Sequence, residues 1–258
     1  MFTLIKKIIV KVLNNRMLQG GVIIIMLWYI LHLALKMAII PSPLATFRNF
    51  FELLNQGLLM HIGASAIRIL VSVIISLLLA VPCGIAMGLN NKIDKILSPI
   101  SYILYPIPKI AFVPVFLLLF GFGDIPKIIL IVSIIYFQIV IAVRDSIKEI
   151  PTMLFYSMRS LHLSRKDILI NLIIPAILPK LFTTLRVTTG ISISVLFFSE
   201  NFACEYGIGS FIMNKFSVIQ YEPMYSGIIG LSIMGLILFK AIDFAEYCLC
   251  PWLKHDKV

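Results

Sequence analysis

Ala66-Ile-Arg68-Ile-Leu-Val-Ser72-Val-Ile-Ile-Ser76-Leu-Leu-Leu-Ala-Val-Pro82-Cys-Gly84-Ile-Ala-Met-Gly88-Leu89 runs for twenty-four residues with a single charged side chain. A helix rising about 1.5 Å per residue needs about 20 such residues to cross about 30 Å of hydrocarbon. Five further runs meet the same condition, at residues 21–40, 99–120, 125–143, 181–198 and 226–247. The first is too long, and too far from any small-residue cleavage site, to be a signal peptide, and it is expected to remain as a permanent span. The chain as a whole is 60% apolar and 13% charged, against about 45–50% and about 25% in soluble domains. Its mean hydropathy is +1.03. These figures exclude an ordinary soluble enzyme and predict an all-α polytopic membrane protein with about six transmembrane helices.

The net charge of +10 would suggest a nucleic-acid partner in a soluble protein, but no basic stripe is interleaved with stacking aromatics, and no nucleic-acid binding is expected. Sorted by position, the cations report topology instead. Lys6, Lys7, Lys11, Arg16, Lys92, Lys95, Arg144, Lys148, Arg159, Arg165, Lys166, Lys180, Lys254 and Lys257 fall on one side of the six runs, and only Arg48, Lys127 and Lys215 on the other. The positive-inside rule then puts both termini in the cytoplasm. Cys83, Cys204, Cys248 and Cys250 show no paired C-x-x-C spacing and read as packing residues. His32, His61, His162 and His255 are scattered and match no H-E-x-x-H, and no G-x-S-x-G is present. A G-x-x-x-x-G-K-[ST] phosphate loop is absent as well, so any ATP and Mg would be held by another subunit and no cofactor or metal is expected here.

Several features are unusual for lipid-facing helices. The run at 99–120 carries Pro106, Pro108 and Pro114 within nine residues. These remove backbone donors, so the segment is expected to break where protein or a water-filled cavity satisfies the freed carbonyls. Lys109 is then either an ionisable group at membrane depth or, if the break lies near the cytoplasm, a snorkelling side chain. Gly84 and Gly88 have the small-xxx-small spacing of close helix contacts. The run at 181–198 holds Thr183, Thr184, Thr188, Thr189, Gly190, Ser192 and Ser194, which suits an interior helix. It ends at Glu200, ahead of Gly207-Ile-Gly209. The carboxylate is either a gate or ion-pair element or a boundary residue.

The connection at 144–180 is the longest on the basic side. Leu154, Met158 and Leu161 follow i, i+4, i+7 spacing and predict a short amphipathic helix. Ser164 is a candidate N-cap for a second helix, and Pro175 and Pro179 read as stops. Such a surface helix either lies in the interface or docks in a partner's groove.

At this loop the sequence resembles the membrane-spanning permease subunit of bacterial binding-protein-dependent ABC importers. That family carries Glu-Ala-Ala, three residues, Gly, nine residues, then Ile-x-Leu-Pro. Tyr156, Ser157 and Met158 stand at the Glu-Ala-Ala positions, His162 at the glycine, and Leu172, Ile174 and Pro175 at the close. The histidine implies a different turn conformation. Over residues 58–250 the chain is most similar to the nitrate, sulfonate and taurine branch, through Gly63-Ala-Ser65-Ala-Ile-Arg68, Gly84-Ile-Ala-Met-Gly88, Pro106-Ile-Pro108, Gly121-Phe-Gly123, Leu185-Arg186 and Ser199-Glu200 with Gly207-Ile-Gly209.

The resemblance implies a type I ABC importer permease fold with a coupling helix within residues 150–165, and an ATPase-coupling set of Leu154, Tyr156, Ser157, Met158, Leu161, His162, Arg165 and, beyond the helix, Pro175. It also implies a homodimer in the bacterial inner membrane with two ATPase subunits beneath and an extracytoplasmic substrate-binding protein above. The pathway or gate would use Pro106, Pro108, Thr184, Thr188, Ser192, Glu200, Gly207 and Gly209. The expected division is an N-terminal segment at 1–57, a core at 58–250 containing the coupling loop at 144–180, and a tail at 251–258. Sulfonates, nitrate-like anions and thiamine-precursor pyrimidines are the solutes considered. The alternative is a stand-alone secondary transporter, for which only Glu200 and Asp243 come near to being intramembrane carboxylates.

Overall fold

The structure is a computed structural model that describes residues 16–253 apart from residue 203. Lys6, Lys7, Lys11, Lys254, His255 and Lys257 lie outside the described residues, and with them most of both expected tails. Among the described residues the regular elements are all helical. They are α1 (Arg16–Leu35), α2 (Pro43–Leu53), α3 (Leu59–Leu89), α4 (Asn91–Leu104), α5 (Val113–Phe120), α6 (Asp124–Lys148), α7 (Thr152–Ser160), α8 (Arg165–Ile168), α9 (Ile174–Ser199), α10 (Ile208–Ser217) and α11 (Tyr221–Leu249).

Four helical stretches are long and apolar enough to cross a membrane: Pro43–Leu89, Asp124–Lys148, Arg165–Ser199 and Tyr221–Leu249. The expected run at 99–120 is not one straight helix. It is α4 and the segment Lys109–Phe120, bent by 80°, because Pro106 and Pro108 cannot continue the i to i−4 ladder. The first expected span is also shorter at its far end than 21–40: α1 stops at Leu35, and Lys36 turns the chain with φ 48. Pro175 and Pro179 do not stop a helix. Pro175 sits in the first turn of α9, directly after a widened turn at Leu169–Ile173, and Pro179 lies inside the helix.

The chain divides into two units. One comprises the described parts of Met1–Leu59 together with Phe211–Gly230. Within it Ser42 caps α2 by accepting from Ala45 N at 3.2 Å, with Pro43 in the first turn. Trp28 stacks on Tyr225 at 5.5 Å, and Ser226 Oγ donates to Thr46 O at 3.1 Å. Gly227 lets Ile212 come so near that a β-carbon would stand 2.7 Å from its Cγ1.

The other unit comprises Met60–Ser210 with the described part of Leu231–Val258. Its centre is α6, whose Ile131, Ile135, Ile139, Val140 and Val143 are buried, with α9 packed along it. In lipid there is no hydrophobic force between helices, so close fit and interhelical polar contacts carry the packing. Gly84 and Gly88 provide that fit, since β-carbons there would stand 2.8 Å from Val143 Cβ and 2.7 Å from Ile147 Cβ. Leu118, Leu78 and Ile67 are more than half exposed, as lipid-facing surface requires.

Candidate functional site

At one end of the second unit three helices converge on a buried ion cluster. Arg68 of α3 reaches Glu200, which closes α9, through Nη1 to Oε1 at 2.5 Å, and Asp124 at the start of α6 through Nε to Oδ1 at 2.7 Å. Glu200 is fully buried, while the Asp124 side chain is 62% exposed. A carboxylate at a helix C-terminus meets the negative end of the dipole, and two arrangements offset this. Ser65 Oγ donates to Glu200 Oε1 at 2.7 Å, and Gly209 N, in the first turn of α10, donates to Oε2 at 2.9 Å. Ser65 Oγ in turn accepts from Ile208 N at 2.9 Å. Every oxygen of Glu200 is thereby paired, as a buried charge requires.

The two glycines of the Gly207-Ile-Gly209 run are structural requirements of this cluster. A β-carbon on Gly207 would stand 2.6 Å from Glu200 Cδ, and one on Gly209 would stand 2.5 Å from Phe197 O. Gly207 N donates to His61 Nδ1 at 3.1 Å, which ties the same loop to α3. Glu200 is therefore an ion-pair element and not an exposed boundary residue. Lys127, one of the three cations on the less basic side, is 2% exposed and donates to Gly123 O at 2.7 Å beside this cluster.

The break between α4 and α5 forms a second feature. Residue 108 is a proline, so Leu104 O lacks its i+4 donor. Lys109 Nζ supplies it, and also donates to Ile107 O at 2.9 Å and Tyr105 O at 3.2 Å. Pro106 and Pro108 are exposed, and Pro108 lines a groove with Tyr105, Lys109, Ser133, Phe137 and Gln138, with Ile191 and Val195 of α9 opposite. Lys109 is not at the basic end, where it would snorkel: its ammonium lies over Phe137, midway along α6.

The expected pathway residues of α9 occupy different surroundings. Thr184 is half-buried and back-bonds to Lys180 O at 2.8 Å. Thr188 and Ser192 have no exposed surface and point into the chain's own packing. In this conformation they line no open channel, because the face of α9 toward the groove is the one bearing Ile191 and Val195.

At the opposite end lies α7, with its last turn closed by Leu161 and His162. Phe155 is half-buried against the core, whereas Met153, Leu154, Tyr156 and Leu161 are exposed, Leu161 to 71%. Met158 is half-buried and Ser157 is exposed, bonding back to Met153 O. The histidine does not alter the turn in the way expected. His162 takes φ 55, the left-handed region that glycine favours. Ser164 and Asp167 form a full capping box on α8, with Arg165 exposed in its first turn. Pro175 lies beyond, half-buried at the start of α9. Close by, Asp94 of α4 is held by Arg144 Nε at 2.7 Å and by Lys148, and Arg186 joins Glu246 at 2.7 Å and Asp243 at 3.1 Å.

Sequence reading missed Asp124, Ser65, His61 and Asp94 as partners. For Asp124 a signal existed, an acidic residue just after Gly121-Phe-Gly123 at a helix start. Nothing local marked the others.

An all-helical bundle with a proline-broken span, an ion cluster buried at one end and an exposed apolar helix at the other is the architecture of a polytopic membrane protein. Residues 79–253 match the family described as binding-protein-dependent transport system inner membrane component, and the chain belongs to that family. It is 29% identical over 205 residues to the taurine transport system permease protein TauC of Escherichia coli (strain K12), covering 80% of this chain and 74% of that one. It is 27% identical over 236 residues to the nitrate import permease protein NrtB of Synechococcus elongatus, covering 83% and 84%. It is 24% identical over 221 residues to the formylaminopyrimidine transport permease protein ThiX of Halalkalibacterium halodurans, covering 84% and 87%. The fold is similar to that in inward-facing conformations of the MetNI methionine ABC transporter, with a TM-score of 0.65 at 19% identity over 76% of this chain and 97% of that one. The protein is an ABC importer permease subunit of the inner membrane, a transport component and not an enzyme.

Proposed function

We propose that two copies of this chain form the pathway of an importer that carries a small organic sulfonate, a nitrate-like anion or a thiamine-precursor pyrimidine. A separate ATPase subunit under each copy binds ATP and Mg, a binding protein delivers the solute from outside, and both termini face the cytoplasm. The observation that carries this reading is α7, a nine-residue helix with Met153, Leu154 and Tyr156 exposed, and Leu161 exposed at its end, on the chain's basic side and outside the long apolar stretches. An apolar face of that kind on a helix too short to span a membrane is suited to a partner's groove. Leu154, Tyr156, Ser157, Met158, Leu161, His162, Arg165 and Pro175 form the coupling element in this reading, within a core of residues 58–250 flanked by segments 1–57 and 251–258.

Closure of the ATPases on ATP would move α7 of each copy as a rigid element and so reorient the bundle. The groove at Pro108, with Pro106 at the same break, would line the pathway with Thr184 near its inner end. The cluster of Glu200, Gly207 and Gly209 would act as the outer gate. Thr188 and Ser192 would join the lining only in a second conformation. The names of the relatives support the solute classes, and a stand-alone secondary transporter gains nothing from the comparisons. The test is co-purification of an untagged ATPase with the tagged chain. Loss of the ATPase when Leu154, Met158 and Leu161 are changed to Asp is the expected result, and its retention would sink the assignment of the coupling helix.

A further inference from the structure

The broken span leaves a positive charge level with the middle of α6, and among the described residues no carboxylate neutralises it. Lys109 Nζ stands 5.4 Å from the centroid of the Phe137 ring. Phe137 is near the middle of α6, which spans Asp124–Lys148, about 17–20 Å from either end at 1.5 Å per residue. Arg68, Arg144, Lys148 and Arg186 all have carboxylate partners, but among the described residues Lys109 has none. Its donors go to the carbonyls of Leu104, Tyr105 and Ile107. Those neutral groups fix the ammonium in place and leave its charge uncancelled. An unpaired charge at this depth is costly unless it faces a bundle interior or a water-filled cavity, where such residues mark ion and substrate pathways.

The groove supplies that cavity and more. Gln138 and Tyr105 line it beside Lys109. Among the described residues neither the Gln138 carboxamide nor the Tyr105 hydroxyl has a hydrogen-bond partner. A fixed positive charge in a low-dielectric wall concentrates anions, and a carboxamide and a hydroxyl on the same groove can donate to the oxygens of a small oxyanion. Because the ammonium's donors are already engaged, it attracts an anion through its field and does not clamp it, which suits a station that must also release its occupant.

We propose that this groove is a transit site for a small oxyanion, with Lys109 selecting negative charge and Gln138 and Tyr105 supplying neutral donors. The inference rests on the reading of the broken span as pathway lining, and it narrows the solute to the anionic class.

The test uses the complete importer, the permease with its co-purifying ATPase and its binding protein, in proteoliposomes. ATP-dependent uptake is followed for ethanesulfonate, nitrate and a cationic or neutral aminopyrimidine. The wild type is expected to import at least one of the two anions. Lys109→Gln is expected to lower that uptake at least tenfold while the ATPase still co-purifies, and Lys109→Arg to restore it to within threefold. Gln138→Leu and Tyr105→Phe, which leave the carbonyl contacts of Lys109 alone, should each lower it about threefold, and they carry the test if Lys109→Gln does not assemble. Wild-type anion uptake in Lys109→Gln or in both lining variants would overturn the proposal. So would a wild type that assembles with its ATPase yet imports only the pyrimidine or none of the three probes, an outcome that leaves the importer reading standing. A chain that recruits no ATPase and shows no ATP-dependent uptake fails both.

Discussion

Gly207 lies so close to Glu200 that a β-carbon on the glycine would stand 2.6 Å from the carboxylate carbon. The loop after α9 can fold back over the carboxylate only because residue 207 has no side chain. Gly207→Ala is therefore expected to push Glu200 away from Arg68 and Ser65. Breaking a buried ion pair costs about 3–5 kcal/mol, and the detergent unfolding midpoint should fall accordingly. A wild-type midpoint for Gly207→Ala would refute this account of the loop.

Glu200→Gln keeps the shape, but its single carboxamide oxygen can replace only one of the two carboxylate oxygens that accept from Ser65 Oγ and Gly209 N, and it leaves Arg68 paired only with the exposed Asp124. The expected outcome is normal assembly with altered stimulation of ATPase activity by the binding protein. Unchanged stimulation and transport would remove Glu200 from the gate.

Asp94 and Arg144 are joined through two hydrogen bonds, at 2.7 and 3.1 Å, across fifty positions of sequence. Lys148 shares the same carboxylate. A double-mutant cycle with Asp94→Asn and Arg144→Gln, read by chemical unfolding in detergent, should give a coupling of about 0.5–3 kcal/mol. A coupling of zero would show that the contact contributes nothing to holding α4 on α6.

On α7, Phe155 and Tyr156 are neighbours with opposite duties, one packed against the core and the other 63% exposed. Tyr156→Asp should abolish ATPase co-purification with little change in the unfolding midpoint, whereas Phe155→Asp should lower the midpoint itself. Equal effects on both measurements would mean that the two faces are not distinct.

Gly84→Ala should separate α3 from α6, since the added methyl would stand 2.8 Å from Val143 Cβ and 2.9 Å from Val140 O. Overpacking of this kind costs about 1–3 kcal/mol. Gly190→Ala, whose β-carbon would stand 3.5 Å from Phe239 Cζ, is the control and should be nearly neutral.

The spans, the break at Pro106 and Pro108 and the capped helix start at Ser164 were legible in sequence because each depends on properties that neighbouring residues carry: hydropathy over a bilayer's thickness, missing backbone donors and a side-chain oxygen three residues ahead of an N–H. Sequence also pointed to Gly84 and Gly88 as a close-contact pair, but not to Val143 and Ile147 as what they meet. The prolines at 175 and 179 were misread as stops: one stands in a helix's first turn, where its missing N–H costs little, and the other inside a helix held by tertiary packing.

What the sequence by itself determined is the class of molecule: six apolar runs, their polarity with respect to the basic loops, and a family whose members are inner-membrane transport components. What only the tertiary structure decided is the pairing of its charges. Arg68 meets Glu200 across 132 positions and Arg186 meets Glu246 across 60, while Lys109 meets no carboxylate among the described residues. Hydropathy is a property of each segment and can be read in place. The partner of a buried charge is a property of how helices pack, and a low-dielectric interior makes that partner decisive for whether the charge is a strut, a gate or an attractor for solute.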